Sequence, residues 1–192
     1  MTFNRFLALG AASGALAAAA TFIPLGDVAA PVVFGHCLGL SVAGSCNGTE
    51  ASIYLFPGLI FGIFFGGMLF RQGRIGAGQT VVFVLSSAIA NAIAVFVCLA
   101  FVDPLSDKIA ILDLGIAISG VIAGAVGGGV LVTATRLLIP GATIGLPIAI
   151  ASALGIVVTA VTELDRAGVF LFYIVWQAGY AASMAASLPA KT

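Results

Sequence analysis

Residues able to do chemistry are few in this chain: one histidine, three cysteines and seven carboxylates among 192 positions. His36, Cys37 and Cys46 lie close together in sequence, and imidazole with thiolates suits zinc, but a closed zinc site takes four donors and no reliable fourth is nearby. The spacing fits a Cys37 to Cys46 disulfide better. That bond would close a loop of about ten residues and contribute about 2–3 kcal/mol in the chain-entropy model. The third cysteine, Cys98, falls inside an apolar stretch and reads as a small buried residue. Asn47-Gly48-Thr49 matches a glycosylation sequon, which matters only in a eukaryotic secretory pathway. One histidine and peripheral acids assemble no Ser/His/Asp set, metal cluster or phosphate loop. The expectation is a protein that is not an enzyme and carries no metal and no cofactor.

Neutral polar groups offer a different chemistry. Ser86, Ser87 and Asn91 sit deep in one apolar segment, and Tyr173, Gln177 and Tyr180 sit deep in another. Asn91 and Gln177 fall at comparable depth, with Ser87 and Tyr173 one helical turn from each. One reading is that these amides join two helices by hydrogen bonds of roughly 0.6–2 kcal/mol each. The other is that they line a pocket or path for a small neutral or weakly polar solute. Trp176 lies too deep for an interfacial belt, so its indole N–H calls for an internal partner or a ligand. Pro147 follows Pro140 closely, and its missing N–H frees a carbonyl near Thr143. Gly141 to Pro147 is therefore expected to be kinked or unwound, exposing carbonyls to a ligand. The candidate ligand-binding set is Asn91, Tyr173, Trp176, Gln177, Thr143 and Pro147.

The elements that position these groups follow from composition. Charged residues make up 7% of the chain and hydrophobic ones 61%, with a mean hydropathy of +1.24. A soluble domain carries roughly 25% charged residues. A water-soluble globule of this mass would expose about 8,400 Å² with fourteen charges to cover it. Such a surface would aggregate, so the lipid bilayer is the expected surroundings. Zero net charge, with no basic patch to displace counterions, argues against nucleic acid.

The charges divide the chain into apolar blocks near the ~20 residues that a helix needs to cross ~30 Å of hydrocarbon. Six spans are expected at about 6–26, 51–70, 78–102, 114–135, 139–162 and 167–188, with residues 27–50 as an external loop. The fold class is thus an all-α integral membrane protein, a six-helix transmembrane bundle forming a single domain, since in lipid each backbone amide must be paired within its own segment. With the N-terminus in the cytoplasm, Arg5, Arg71, Arg74, Arg136 and Lys191 lie inside, and only Lys108 and Arg166 lie outside. All seven carboxylates then face the other side. This orientation suits a bacterial inner membrane with both termini cytoplasmic. Residues 1–20 also resemble a secretory signal peptide, whose removal would leave five spans. Continuation of the apolar run through Phe22, Ile23 and Leu25 favours a retained first span.

Gly58, Gly62 and Gly66 recur every four residues, as do Gly120, Gly124 and Gly128. Small residues at that spacing let helix backbones approach closely in lipid, within the bundle, in a homo-oligomer or in a larger membrane complex. Ala11–Ala17 also aligns with Ala117–Ala123, and Pro57-Gly58 with Pro140-Gly141, which suggests two inverted three-helix repeats of the kind found in transporters. Passage of a small solute is the leading functional expectation. The alternative is a non-catalytic accessory or assembly subunit of a larger membrane complex.

Overall fold

The computed structural model describes the backbone at residues 3–28, 32–33, 36–37, 41–42, 45–46, 49–108 and 112–189, and side chains at 4–27, 51–101, 114–158 and 166–189. Among the described residues the chain is built on six helices, namely α1 (Phe3–Ala20), α2 (Ala51–Arg71), α3 (Ala77–Lys108), α4 (Leu112–Leu138), α5 (Gly145–Gly155) and α6 (Thr159–Ser187). Among the described residues, four stretches are long and apolar enough to cross a membrane: Ala51–Arg71, Ala77–Phe101, Leu114–Leu138 and Arg166–Ser187.

Between α1 and α2 the chain makes short antiparallel strand pairs. β1 (Asp27–Val28) pairs with β6 (Thr49–Glu50), β2 (Val32–Val33) with β3 (His36–Cys37), and β4 (Ser41–Val42) with β5 (Ser45–Cys46). Asp27 stands opposite Glu50, so the excursion leaves and returns at one point. Cys37 and Cys46 belong to separate pairs, and their side chains lie outside the described residues, as does the expected bond between them.

Consecutive helices run antiparallel, and the excursion between α1 and α2 returns to the point it left, so it too reverses the chain. The Phe6 ring packs tilted against Phe65 while the Ser52 hydroxyl donates to the Thr21 carbonyl, which sets α1 against α2. Gly58 and Gly66 lie against Asn91 and Phe83, and Gly127 lies against Ala94, which sets α2 and then α4 on α3. Gly128 meets Ala151 across α4 and α5, and Leu154 meets Gly179 across α5 and α6. The circuit closes where Gly10 and Gly14 of α1 press on Ala178 and Ile174 of α6. Inside the circuit, Phe61, Phe65, Phe83, Leu131, Val132, Tyr180 and Met184 form one buried core.

Element boundaries depart from the expected spans in instructive places. α1 stops at Ala20 rather than near 26, because Pro24 restrains the residue before it and Thr21–Ile23 form a turn. The reversal after α4 occurs at Pro140-Gly141 as expected, and Gly141 adopts φ +92°, a conformation open to glycine. Within the expected span 139–162 the helix begins only at Gly145: the 11-residue α5 is followed by a 3₁₀ turn, Ile156–Val158, and then by the first residues of α6. Gly155 marks that change, and its own backbone abuts that of Gly120.

The residues aligned as a repeat do not occupy equivalent places. Gly14 faces the last helix, whereas its partner in the alignment, Gly120, faces α5, the next helix along the chain. Pro57 lies buried within α2, whereas Pro140 lies in an exposed turn before α5.

Candidate functional site

Polar side chains of three helices meet at the turn of α2 that holds Pro57. Pro57 is the seventh residue of α2 and has no N–H, so the carbonyl of Ile53, four residues earlier, loses its helical donor. Asn91 of α3 supplies the missing bond. Its Nδ2 donates to the Ile53 carbonyl at 3.0 Å and to the Tyr54 carbonyl at 2.7 Å. Gly58 makes this possible, since a Cβ there would lie 2.6 Å from the Asn91 Cβ.

Gln177 of α6 approaches the same turn from another side. Its Nε2 donates to the Pro57 carbonyl at 3.1 Å, and its Oε1 accepts from the Ser13 hydroxyl of α1 at 2.7 Å. Gln177 is 1% exposed and Ser13 equally so, which makes these bonds dry. An unmade polar bond in such surroundings costs several kcal/mol. The cluster therefore ties α1, α2, α3 and α6 together through side chains from three of them and the backbone of the fourth. A second tie runs from the Tyr180 hydroxyl to the Gly128 carbonyl of α4 at 3.0 Å.

No family model, curated protein or solved structure matches this chain.

The expected ligand-binding residues are not brought to one shared space. Asn91 and Gln177 meet at α2, but each is spent on a backbone carbonyl there. Tyr173 is buried against Ala17 and Ala18 of α1. Trp176 is half-buried and lies flat on Tyr180, with ring centroids 5.3 Å apart. Thr143 is exposed at the turn after α4, where its N–H donates to the Ser187 carbonyl at 3.0 Å. Pro147 falls in the first turn of α5, where a helix needs no donor, so it starts that helix rather than kinking it. The expected unwound segment within the fifth span is thus a connecting turn at the end of the bundle.

The glycine rows face neighbours within the chain. Gly62 lies close under Val84 of α3, and Gly120, Gly124 and Gly128 lie on Gly155 and Ala151 of α5. Among the described residues no group of three or more His, Cys, Asp or Glu is placed to hold a metal.

Two members of the polar cluster escaped the sequence reading. Ser13 lies between Gly10 and Gly14, and that small, polar face pointed to a neighbour at close range. Pro57 sits in mid-segment, which required an outside donor for the carbonyl one turn before it.

Proposed function

We propose that this chain is an integral membrane protein with six crossings, termini on the cytoplasmic side of a bacterial inner membrane, serving as a non-catalytic accessory or assembly subunit of a larger membrane complex. The observation that carries this reading is the capture of Asn91 and Gln177 by the backbone of α2. The groups best suited to meet a solute are used to hold the fold. Solute passage would require both amides to exchange buried bonds for the solute.

What remains for interaction is the outside. On α3, Val81, Val82, Leu85, Ile89 and Phe96 are exposed and recur at helical spacing, while Phe83 and Ser87 point inward. Because the glycine rows are consumed internally, a partner would meet this outer face. Phe6, Arg71, Arg74 and Arg136 share the end of the bundle assigned to the cytoplasm, and Asp27 lies at the opposite end.

The test is native extraction in mild detergent, with the wild type expected in a particle larger than its own micelle. Leu85→Trp or Ile89→Trp should release a folded single chain. A wild-type particle that already behaves as a single chain would reject the accessory role. Liposome permeability to a small neutral solute that disappears in Gln177→Leu with folding intact would instead establish passage.

A further inference from the structure

The interior is less completely filled towards the end of the bundle assigned to the outside. In the first half of α3, Phe83, Ser87 and Ala90 are buried. From Asn91 to Phe101 no residue is, although part of that stretch faces inward. Ala94 lies against Gly127 of α4, and Asn91 bonds to α2. Cys98, four residues beyond the first and seven beyond the second, therefore faces the interior between α2 and α4. Its free thiol is nevertheless only half-buried.

An unused polar group points to the same place. Tyr173, Gln177 and Tyr180 share one face of α6. Gln177 reaches the Pro57 carbonyl of α2 and Tyr180 reaches the Gly128 carbonyl of α4, so Tyr173, nearer the outer end, also points between these helices, with α3 beyond. Tyr173 is 7% exposed, and among the described residues its hydroxyl has no hydrogen-bond partner. The group that acts on it electrostatically is the Cys98 thiol. A buried hydroxyl left unpaired forfeits the bonds it made in water, so an occupant able to accept its proton is required opposite it. The charged side chains among the described residues lie at the ends of the bundle, which makes that occupant neutral.

We infer that the outer half of the bundle interior is a water-binding pocket, with water held between the Tyr173 hydroxyl of α6 and the Cys98 thiol of α3. The pocket rests on the six-crossing reading above. A buried water takes about two to four polar partners, and a phenol that both donates and accepts, beside a thiol, supplies the first of them. Its floor is the dry tie of Ser13, Gln177 and Pro57, whose polar groups are spent on one another, so the pocket is a blind one, entered from outside.

The test uses full-length protein in spheroplasts, with Cys37→Ser and Cys46→Ser leaving Cys98 as its thiol, and a membrane-impermeant sulfonated methanethiosulfonate added outside. Phe96, exposed on the outer face of α3 at nearly the same depth, supplies the control as Phe96→Cys with Cys98→Ser. Because the reacting species is the thiolate, which needs water around it, Cys98 should label about tenfold faster than the control. Ser87→Cys with Cys98→Ser, below the floor, should stay unlabelled. Tyr173→Phe should raise the unfolding constant in mixed micelles about fivefold, as loss of a hydrated hydroxyl does. Equally slow labelling of Cys98 and the Phe96→Cys control overturns the pocket and leaves the membrane reading standing. Equally fast labelling of the two places α3 in water and overturns both. Labelling of Ser87→Cys as fast as that of Cys98 overturns the blind floor, and an unchanged or lower unfolding constant in Tyr173→Phe overturns the hydration of that hydroxyl.

Discussion

Replacing Asn91 tests the polar cluster directly, because the cost should depend on a residue in another helix. Asn91→Leu keeps the forked shape of the side chain near Gly58 but removes two N–H donors, those bonded to Ile53 and Tyr54. Bonds between membrane helices measure about 0.6 kcal/mol on average and up to about 1.7, so the expected loss is about 1–3 kcal/mol. Pro57→Ala changes the account. An alanine at 57 restores the N–H that the Ile53 carbonyl lacks, leaving only the Tyr54 bond for Asn91 to make. In that background Asn91→Leu should cost about half as much, a coupling on the order of 1 kcal/mol, or about fivefold in the unfolding constant. The assay is a double-mutant cycle on reversible unfolding in mixed micelles, with helix content followed by circular dichroism. Equal costs in the two backgrounds would refute the view that Asn91 serves the carbonyl freed by the proline.

Other substitutions separate close packing from open surface. Gly124→Leu should destabilise by about 1–3 kcal/mol or more in the same unfolding assay, because its side chain would be built into the backbone at Ala151. Gly67→Ala, where nothing lies within 4 Å, should stabilise the helix by about 0.5–1 kcal/mol. Ser13→Ala leaves the Gln177 Oε1 without its donor and should cost about 1–2 kcal/mol, a loss that Gln177→Leu alone should largely include when the two are combined. Arg74→Ala removes the guanidinium that donates to the Pro189 carbonyl at 2.9 Å, and hydrogen exchange after Ser187 should quicken while the centre of α6 stays protected.

The apolar segmentation could be read from residues alone because it depends on local quantities. Charge-free blocks, Pro140-Gly141 and Arg136 mark where helices end and the chain reverses, and the second and fourth helices fall close to their expected limits. Less legible was the joint between α5 and α6, where acids at Glu163 and Asp165 suggested a loop but the backbone is helical from Thr159 onward. Charge density separates blocks well and says little about whether the backbone between them stays helical.

Facing was the part that only tertiary structure decided. In a water-soluble helix a polar stripe tells which side is outside, but these helices are apolar on nearly every side, so hydropathy leaves their rotation open. Asn91 and Gln177 were expected to meet each other or a solute, and each instead found a carbonyl of α2 beside Pro57. Which carbonyls are within reach depends on where three other helices stand, and that follows from glycine contacts between segments far apart in the chain. Sequence thus determined that these amides would be deep and in need of partners, because burial of a polar group demands a bond. Three-dimensional packing determined which partners they take: carbonyls of α2 for both amide nitrogens, and the Ser13 hydroxyl for the Gln177 Oε1.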